Sequence, residues 1–340
     1  MMGVLNHLST LLLLSLLPPA LSHVVDKFSD VPQCKTFFLK ETTPNLPGIL
    51  VGGTVQDQNR YKPICQKYKN NYRFATLYDT TNKIPVFSAY TFSGPPTDPR
   101  PKYQPWMIEP QLEDVEDVEE MKTQREVLNN NKRANHQAVD ADYDATISSM
   151  DLDRGHLFPC NAAPDDATMR STFTLTNAVP QERGFNRGRW CKMEGRVREA
   201  LVNNCKNNNN KIEAYVVTGA VPSNNNNNKL NQRLNIPDLM WTAFCCYNKD
   251  KKWTVGAYWG ENKNDNGKIL NLETLGELEA KLKQSYNGGD VKVFHDNCPR
   301  NVKVQQVNTT GKKRTREGMA IASGKDCDAE DGCDCDCDEK

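Results

Sequence analysis

The chain has 340 residues, 43 acidic and 43 basic side chains, and twelve cysteines, with 37% of its residues apolar. That length holds one large domain or two small ones around a buried core, and past the first residues no stretch is apolar enough to cross a bilayer, which excludes a multi-span membrane protein. The neutral total hides a split: Lys325–Lys340 holds eight acids against two lysines, a balance of −6, so the remainder carries +6. A mildly basic body suits a polyanionic ligand without requiring one.

Met1–Ser22 has no charged side chain and contains the leucine-rich run 11–17, two prolines and then Ala20-Leu21-Ser22. This is the pattern of a secretory signal cleaved after Ser22, and its core is too short for a membrane anchor. A soluble, secreted or lumenal protein is expected. An even number of cysteines in an exported chain predicts disulfides, with Cys34 and Cys65 a reasonable pair. Cys245 and Cys246 are adjacent in an apolar run, so on a strand they face opposite ways and need different partners.

Two β-prone runs, 73–78 and 84–90, flank the loop Asp79–Lys83 and predict a hairpin. A proline-rich loop follows over 94–105. From Glu109 to Glu120 there are seven acids, with Leu112, Val115 and Val118 at intervals of three, which reads as a solvated helix with a narrow apolar stripe and no function. Further strands are expected at 173–176, 214–218, 239–247 and 253–258. Helices are marked by Trp190, Met193, Val197 and Leu201, and by Leu272, Leu275, Leu278 and Leu282. Asparagine runs at 207–210 and 224–228 read as surface loops beside one strand. The mixed order predicts an α+β domain over residues 23–299, built on an antiparallel or mixed sheet with packed helices.

Residues 300–340 change character. Arg300–Arg316 holds six basic residues and no acid, with a glycosylation sequon at Asn308, and the acidic, cysteine-rich stretch 326–339 follows. The expectation is a tail without its own core. Its Cys-x-Cys repeat could hold a soft metal, although the spacing differs from common zinc sites and an acidic disordered tail is the simpler reading.

The chemistry concentrates between Asp153 and Glu194. Asp153-Arg154-Gly155-His156 places a base that titrates near neutral pH beside a fixed cation. Asn177, Asn186 and Glu194 follow, and the last two are hard oxygen ligands of the kind Mg²⁺ takes. On a regular helix, eight residues put Asn186 and Glu194 two turns and about 80° apart, near enough for one ion. His156 then has to come from a separate strand, opposite the metal. The competing reading makes Asn186 a helix cap and Glu194 an exposed acid. His136 and His295 have no matching partners and are expected to be structural or exposed.

The segments 150–159, 172–181 and 185–194 resemble the DNA/RNA non-specific endonuclease family with its ββα-metal motif, and flanking segments extend the likeness over roughly residues 60–295. The resemblance implies His156 as general base, Asn186 as direct Mg²⁺ ligand, Glu194 as a carboxylate acting on the metal through water, and Arg154 as a clamp on the scissile phosphate. It gives Asn177 a positional role, and Asp153 orients the backbone. The family's additional upstream arginine would be Arg100 or none. It further implies cleavage of both DNA and RNA through the phosphate backbone, with Mg²⁺ or another divalent cation such as Mn²⁺. A non-catalytic binding protein on the same fold is the alternative.

Overall fold

The computed structural model describes residues 23–128, 134–144, 150–264, 269–286 and 288–304. After a short hairpin at Leu50–Val51 and Thr54–Val55 come strands Tyr61–Tyr68 (β1), Asn71–Asp79 (β2) and Ile84–Phe92 (β3), then the two-residue strand Met107–Ile108 (β4). Leu152–His156 (β5), helix Asp166–Ser171 (α1) and Ala178–Glu182 (β6) follow. A π-helical turn, Phe185–Trp190, runs straight into helix Cys191–Asn204 (α2). Ala214–Val221 (β7), Leu239–Tyr247 (β8), Trp253–Glu261 (β9) and helix Leu275–Lys283 (α3) complete the order.

Six of these strands form one antiparallel sheet in the order β9-β8-β7-β3-β2-β1, and β5 pairs with β6 in a separate two-stranded sheet. The period-2 pattern of each strand divides the interior in two. Along β8, Met240, Phe244 and Cys246 join the core shared with β5, β6 and α2, whereas Leu239, Trp241, Ala243 and Cys245 join the core under α3 and the N-terminal phenylalanines. Cys246 therefore bonds to Cys205 at the end of α2, and Cys245 bonds to Cys298 on the far side. The expected Cys34–Cys65 bridge is present. Cys160 and Cys191 are disulfide-bonded as well.

The hairpin, the strands at 214, 239 and 253, and the two leucine- and tryptophan-marked helices stand where the sequence put them. Leu272 lies outside α3, which starts after the Thr274 cap. Two expectations fail. The acidic segment is no helix: Pro110 opens a single 3₁₀ turn, and the Gln111 amide donates to the Val115 and Asp117 carbonyls, which would serve backbone donors in a helix. Val115 and Val118 are exposed, so the apolar stripe does not exist. Residues 173–176 make one parallel bridge, Met107 to Thr174, before turning into a 3₁₀ segment at Leu175–Asn177. Arg300, expected to open the tail, is anchored by two 3.2 Å contacts to Glu279 of α3, and the Val304 N–H bonds to Val255 of β9. The signal segment, the sequon and the acidic Cys-rich stretch lie outside the described residues. No helix among the described residues is long and apolar enough to cross a membrane.

Candidate active site

β5, β6 and α2, with α1 inserted between the two strands, make a ββα unit on one face of the large sheet. In register, Arg154 faces Pro180, Gly155 faces Val179 and His156 faces Ala178. Glycine at 155 has a steric cause. A Cβ there would lie 1.9 Å from the Gln181 Oε1 and 2.7 Å from its Cβ, so any side chain would push β5 off β6.

His156 closes β5 at 4% exposure. Its imidazole packs in a triangle with two rings, tilted against Trp106 at 5.0 Å and edge-on to Phe173 at 4.9 Å, the two rings being 5.4 Å from each other. Both rings are supplied by one junction: the Met107 N–H bonds to the Phe173 carbonyl at 2.8 Å. Arg154 contacts Asp140 at 3.2 Å, and its guanidinium lies over Trp106 (5.5 Å) and Tyr143 (5.2 Å). Arg100 approaches the same wall, 6.0 Å over Phe173. Arg100, the candidate for the upstream arginine, is thus one ring away from His156.

Asn177 is fully buried and its amide is saturated. It accepts from the Ser88 hydroxyl (2.8 Å) and the Phe158 N–H (3.0 Å), and donates to the carbonyls of Phe158 (3.1 Å) and Thr172 (2.9 Å). With every lone pair and proton engaged, Asn177 acts by fixing the chain that leaves His156 and tying it to β3. It has no capacity left for a reacting group.

Asp153 orients more than backbone. Its carboxylate takes a two-pronged contact from Arg187 (2.8 and 2.7 Å), a longer one from Arg183 (3.3 Å), and the Asn186 Nδ2 donation at 3.1 Å. That last bond commits the nitrogen end of the Asn186 amide to Asp153, so the oxygen is the end lying away from it. Asn186 sits inside the π-helical turn, neither capping a helix nor on a regular one, and Gly188 departs from helical angles (φ −101°, ψ −106°). The eight-residue arithmetic therefore does not apply across this turn, although Asn186 and Glu194 remain on one continuous element.

Glu194, half-buried in the first turn of α2, lines a narrow, solvent-open cleft with Tyr90, Asn161, Trp190, Arg198 and Thr242. Burial, with a smaller push from the Glu194 carboxylate, raises the Tyr90 hydroxyl well above its ordinary value, against the opposing effect of its hydrogen bond with Thr218. Among the described residues no three His, Cys, Asp or Glu side chains form a ready cage for a metal. An amide oxygen plus one carboxylate fits Mg²⁺, which keeps most of its water shell.

The sequence reading missed a buried pair behind the site. His23 Nε2 lies 2.9 Å from Glu109, both fully buried, and Glu109 also accepts from the hydroxyls of Thr174 (2.7 Å) and Thr176 (2.9 Å). The first acid of the supposedly functionless segment thus clamps the β4–Thr174 junction that carries Trp106 and Phe173. His136 is exposed, with Glu113 as a partner the sequence did not show, and His295 is half-buried and accepts from the Asn297 N–H.

An α+β fold whose ββα unit carries a histidine at the end of its first strand and an amide and a carboxylate on the helical element that follows has the architecture of a ββα-metal nuclease. The chain belongs to the DNA/RNA non-specific endonuclease family, whose model matches residues 53–301. It is similar to the Endonuclease domain-containing 1 protein of Homo sapiens, 30% identical over 226 residues, which are 66% of this chain and 41% of that protein. The Mus musculus protein of the same name is 31% identical over 269 residues, 78% and 47% of the two chains. The chain spans less than half the length of these curated relatives. A solved structure of the EndoG/EndoGI complex superposes with a TM-score of 0.42 at 17% identity, covering 65% of this chain and 84% of that one.

Proposed function

We propose that this protein hydrolyses phosphodiester bonds in both DNA and RNA, with His156 as general base and a divalent cation, Mg²⁺ or Mn²⁺, held by Asn186 and Glu194. The observation that carries the reading is the pair of opposed constraints on one ββα unit. Trp106 and Phe173 fix the imidazole at the end of β5, while Asp153 on the same strand fixes the amide of Asn186. A bound cation supplies Lewis-acid stabilisation of charge at phosphorus. The neutral imidazole takes the proton of the attacking water. Arg154, shaped for two-pronged contact with phosphate, holds the scissile group with Arg100 nearby. Nothing in these steps uses a 2′-hydroxyl or a base edge, so both sugars are accepted and sequence goes unread. Disulfides on both faces of the sheet support an oxidising, secreted or lumenal setting.

Purified protein with plasmid DNA and ribosomal RNA should degrade both with Mg²⁺ and neither with EDTA. The His156→Ala variant should lose more than about a hundredfold in rate while keeping its circular dichroism. Activity within tenfold of wild type would remove His156 from the mechanism. Nucleic-acid binding without cleavage by the wild type would favour a non-catalytic binding protein.

A further inference from the structure

The proline-rich loop in front of His156 is pinned at both ends. At its start the Thr97 N–H and hydroxyl both donate to the Pro164 carbonyl (3.3 and 3.2 Å), and Asp98 accepts the Asp166 N–H at 3.1 Å. At its end Gln104 accepts from Arg170 at 3.0 Å, and that arginine is itself paired with Asp166. Pro99 and Pro101 stiffen the backbone between the anchors. The apex so presented reads Arg100-Pro101-Lys102-Tyr103.

Tyr103 is 91% exposed, whereas Trp106 three residues on is 4% exposed. Its chain neighbours on both sides reach the catalytic wall: Arg100 lies over Phe173, and Trp106 packs on His156 itself. Three residues of extended chain span at most about 11 Å, and the Trp106 ring lies 5.0 Å from the imidazole, so Tyr103 is within a few nucleotides of a phosphate held at His156. A solvent-facing ring on a loop that carries two cations just before it, near a phosphodiester-cleaving base, offers what an unpaired nucleotide lacks in water: a surface for its π-face and charge for its phosphates. A base inside a duplex is already stacked and cannot use it.

We propose that Tyr103 is a stacking platform for an unpaired base near the scissile phosphate, with Arg100 and Lys102 on the flanking phosphates, so that the protein prefers single strands. The proposal rests on the nuclease reading for its location and concerns substrate choice. The test compares Tyr103→Ala, Tyr103→Phe and wild type on one oligonucleotide sequence, single-stranded and duplex, in Mg²⁺. A parallel arm measures binding of the labelled single strand by fluorescence anisotropy in EDTA. Tyr103→Ala should raise KM for the single strand about tenfold, as loss of one stacked base implies. Its KM for duplex and its kcat on both should stay within about twofold, a change too small to represent a lost stack. Tyr103→Phe should behave as wild type, and Kd in EDTA should follow the single-strand KM. An unchanged single-strand KM, or an equal rise on both substrates, overturns the platform. If the wild type cleaves neither substrate, the nuclease reading falls, and the anisotropy arm still decides: equal Kd for wild type and Tyr103→Ala, or no binding by either, overturns the proposal.

Discussion

Asp153 is buried, and its carboxylate holds Asn186, Arg187 and Arg183 together. Partners that orient a metal ligand are commonly worth 10- to 100-fold in metal affinity. Asp153→Ala should therefore raise the Mg²⁺ concentration for half-maximal activity by about that factor, with the rate at saturating Mg²⁺ less affected. A Mg²⁺ titration superimposable on wild type would mean that Asn186 needs no such orientation. Glu109 makes a different kind of prediction. Its removal leaves the His23 imidazole and two threonine hydroxyls without their acceptor in a fully buried place. Breaking a buried pair in this way costs about 3–5 kcal/mol, so Glu109→Ala should lose that much in urea denaturation. A loss under about 1 kcal/mol would show that the pair does not hold the junction. Neither role could be read in the sequence. Asp153 was visible only as the start of a motif, and His23 meets Glu109 across a separation of 86 positions, which no local pattern encodes.

At the scale of elements, periodicity worked wherever burial follows one face. α2 and α3 were legible from leucine, valine and tryptophan spacing, and β8 from an apolar run whose two cysteines had to diverge. It failed where side chains compete with the backbone. Gln111 takes carbonyls that a helix over 109–120 would need, and the Thr174 and Thr176 hydroxyls turn into Glu109. It also failed at the π-helical turn, because Gly188 lets the chain leave helical geometry between the two candidate ligands. The resulting dependence of α2 on its anchors is testable. Cys205 ends the helix that starts near Glu194 and is tied to β8 with a sequence separation of 41. Closing a loop of that size removes about 4 kcal/mol of unfolded-state entropy in the chain-entropy account. The double variant Cys205→Ser/Cys246→Ser should lose stability of that order, and its activity should fail at a lower temperature than wild type. Unchanged thermal inactivation would show that packing of Trp190, Met193 and Val197, together with the disulfide at Cys191, is enough to hold the helix in place.

For the whole molecule, the two cores on either side of the sheet have a shared alkaline weakness. Tyr78, Tyr90 and Tyr143 lie on the face with the ββα unit, and Tyr286 lies on the other, beside α3. Burial is the leading cause that lifts all four hydroxyls above the ordinary tyrosine value of 10.0. A folded-state value above the unfolded one means that the neutral phenol contributes stability fully below pH about 10 and loses it as the pH rises further, since only the unfolded chain releases these protons. Each group then tilts the balance toward unfolding by about 1.4 kcal/mol per pH unit. Four together remove about 5–6 kcal/mol per unit, against a total stability of about 5–15 kcal/mol for an ordinary domain. Unfolding is therefore expected as a cooperative event one to three pH units above about 10. Circular dichroism and phenolate absorbance, followed together in a pH titration, should show the exposed tyrosines ionising first with the fold intact. The rest of the eleven should then appear in one step that coincides with loss of secondary structure. A smooth phenolate titration of all of them with unchanged circular dichroism would mean that hydroxide reaches the buried rings of both cores without unfolding, and would overturn this expectation.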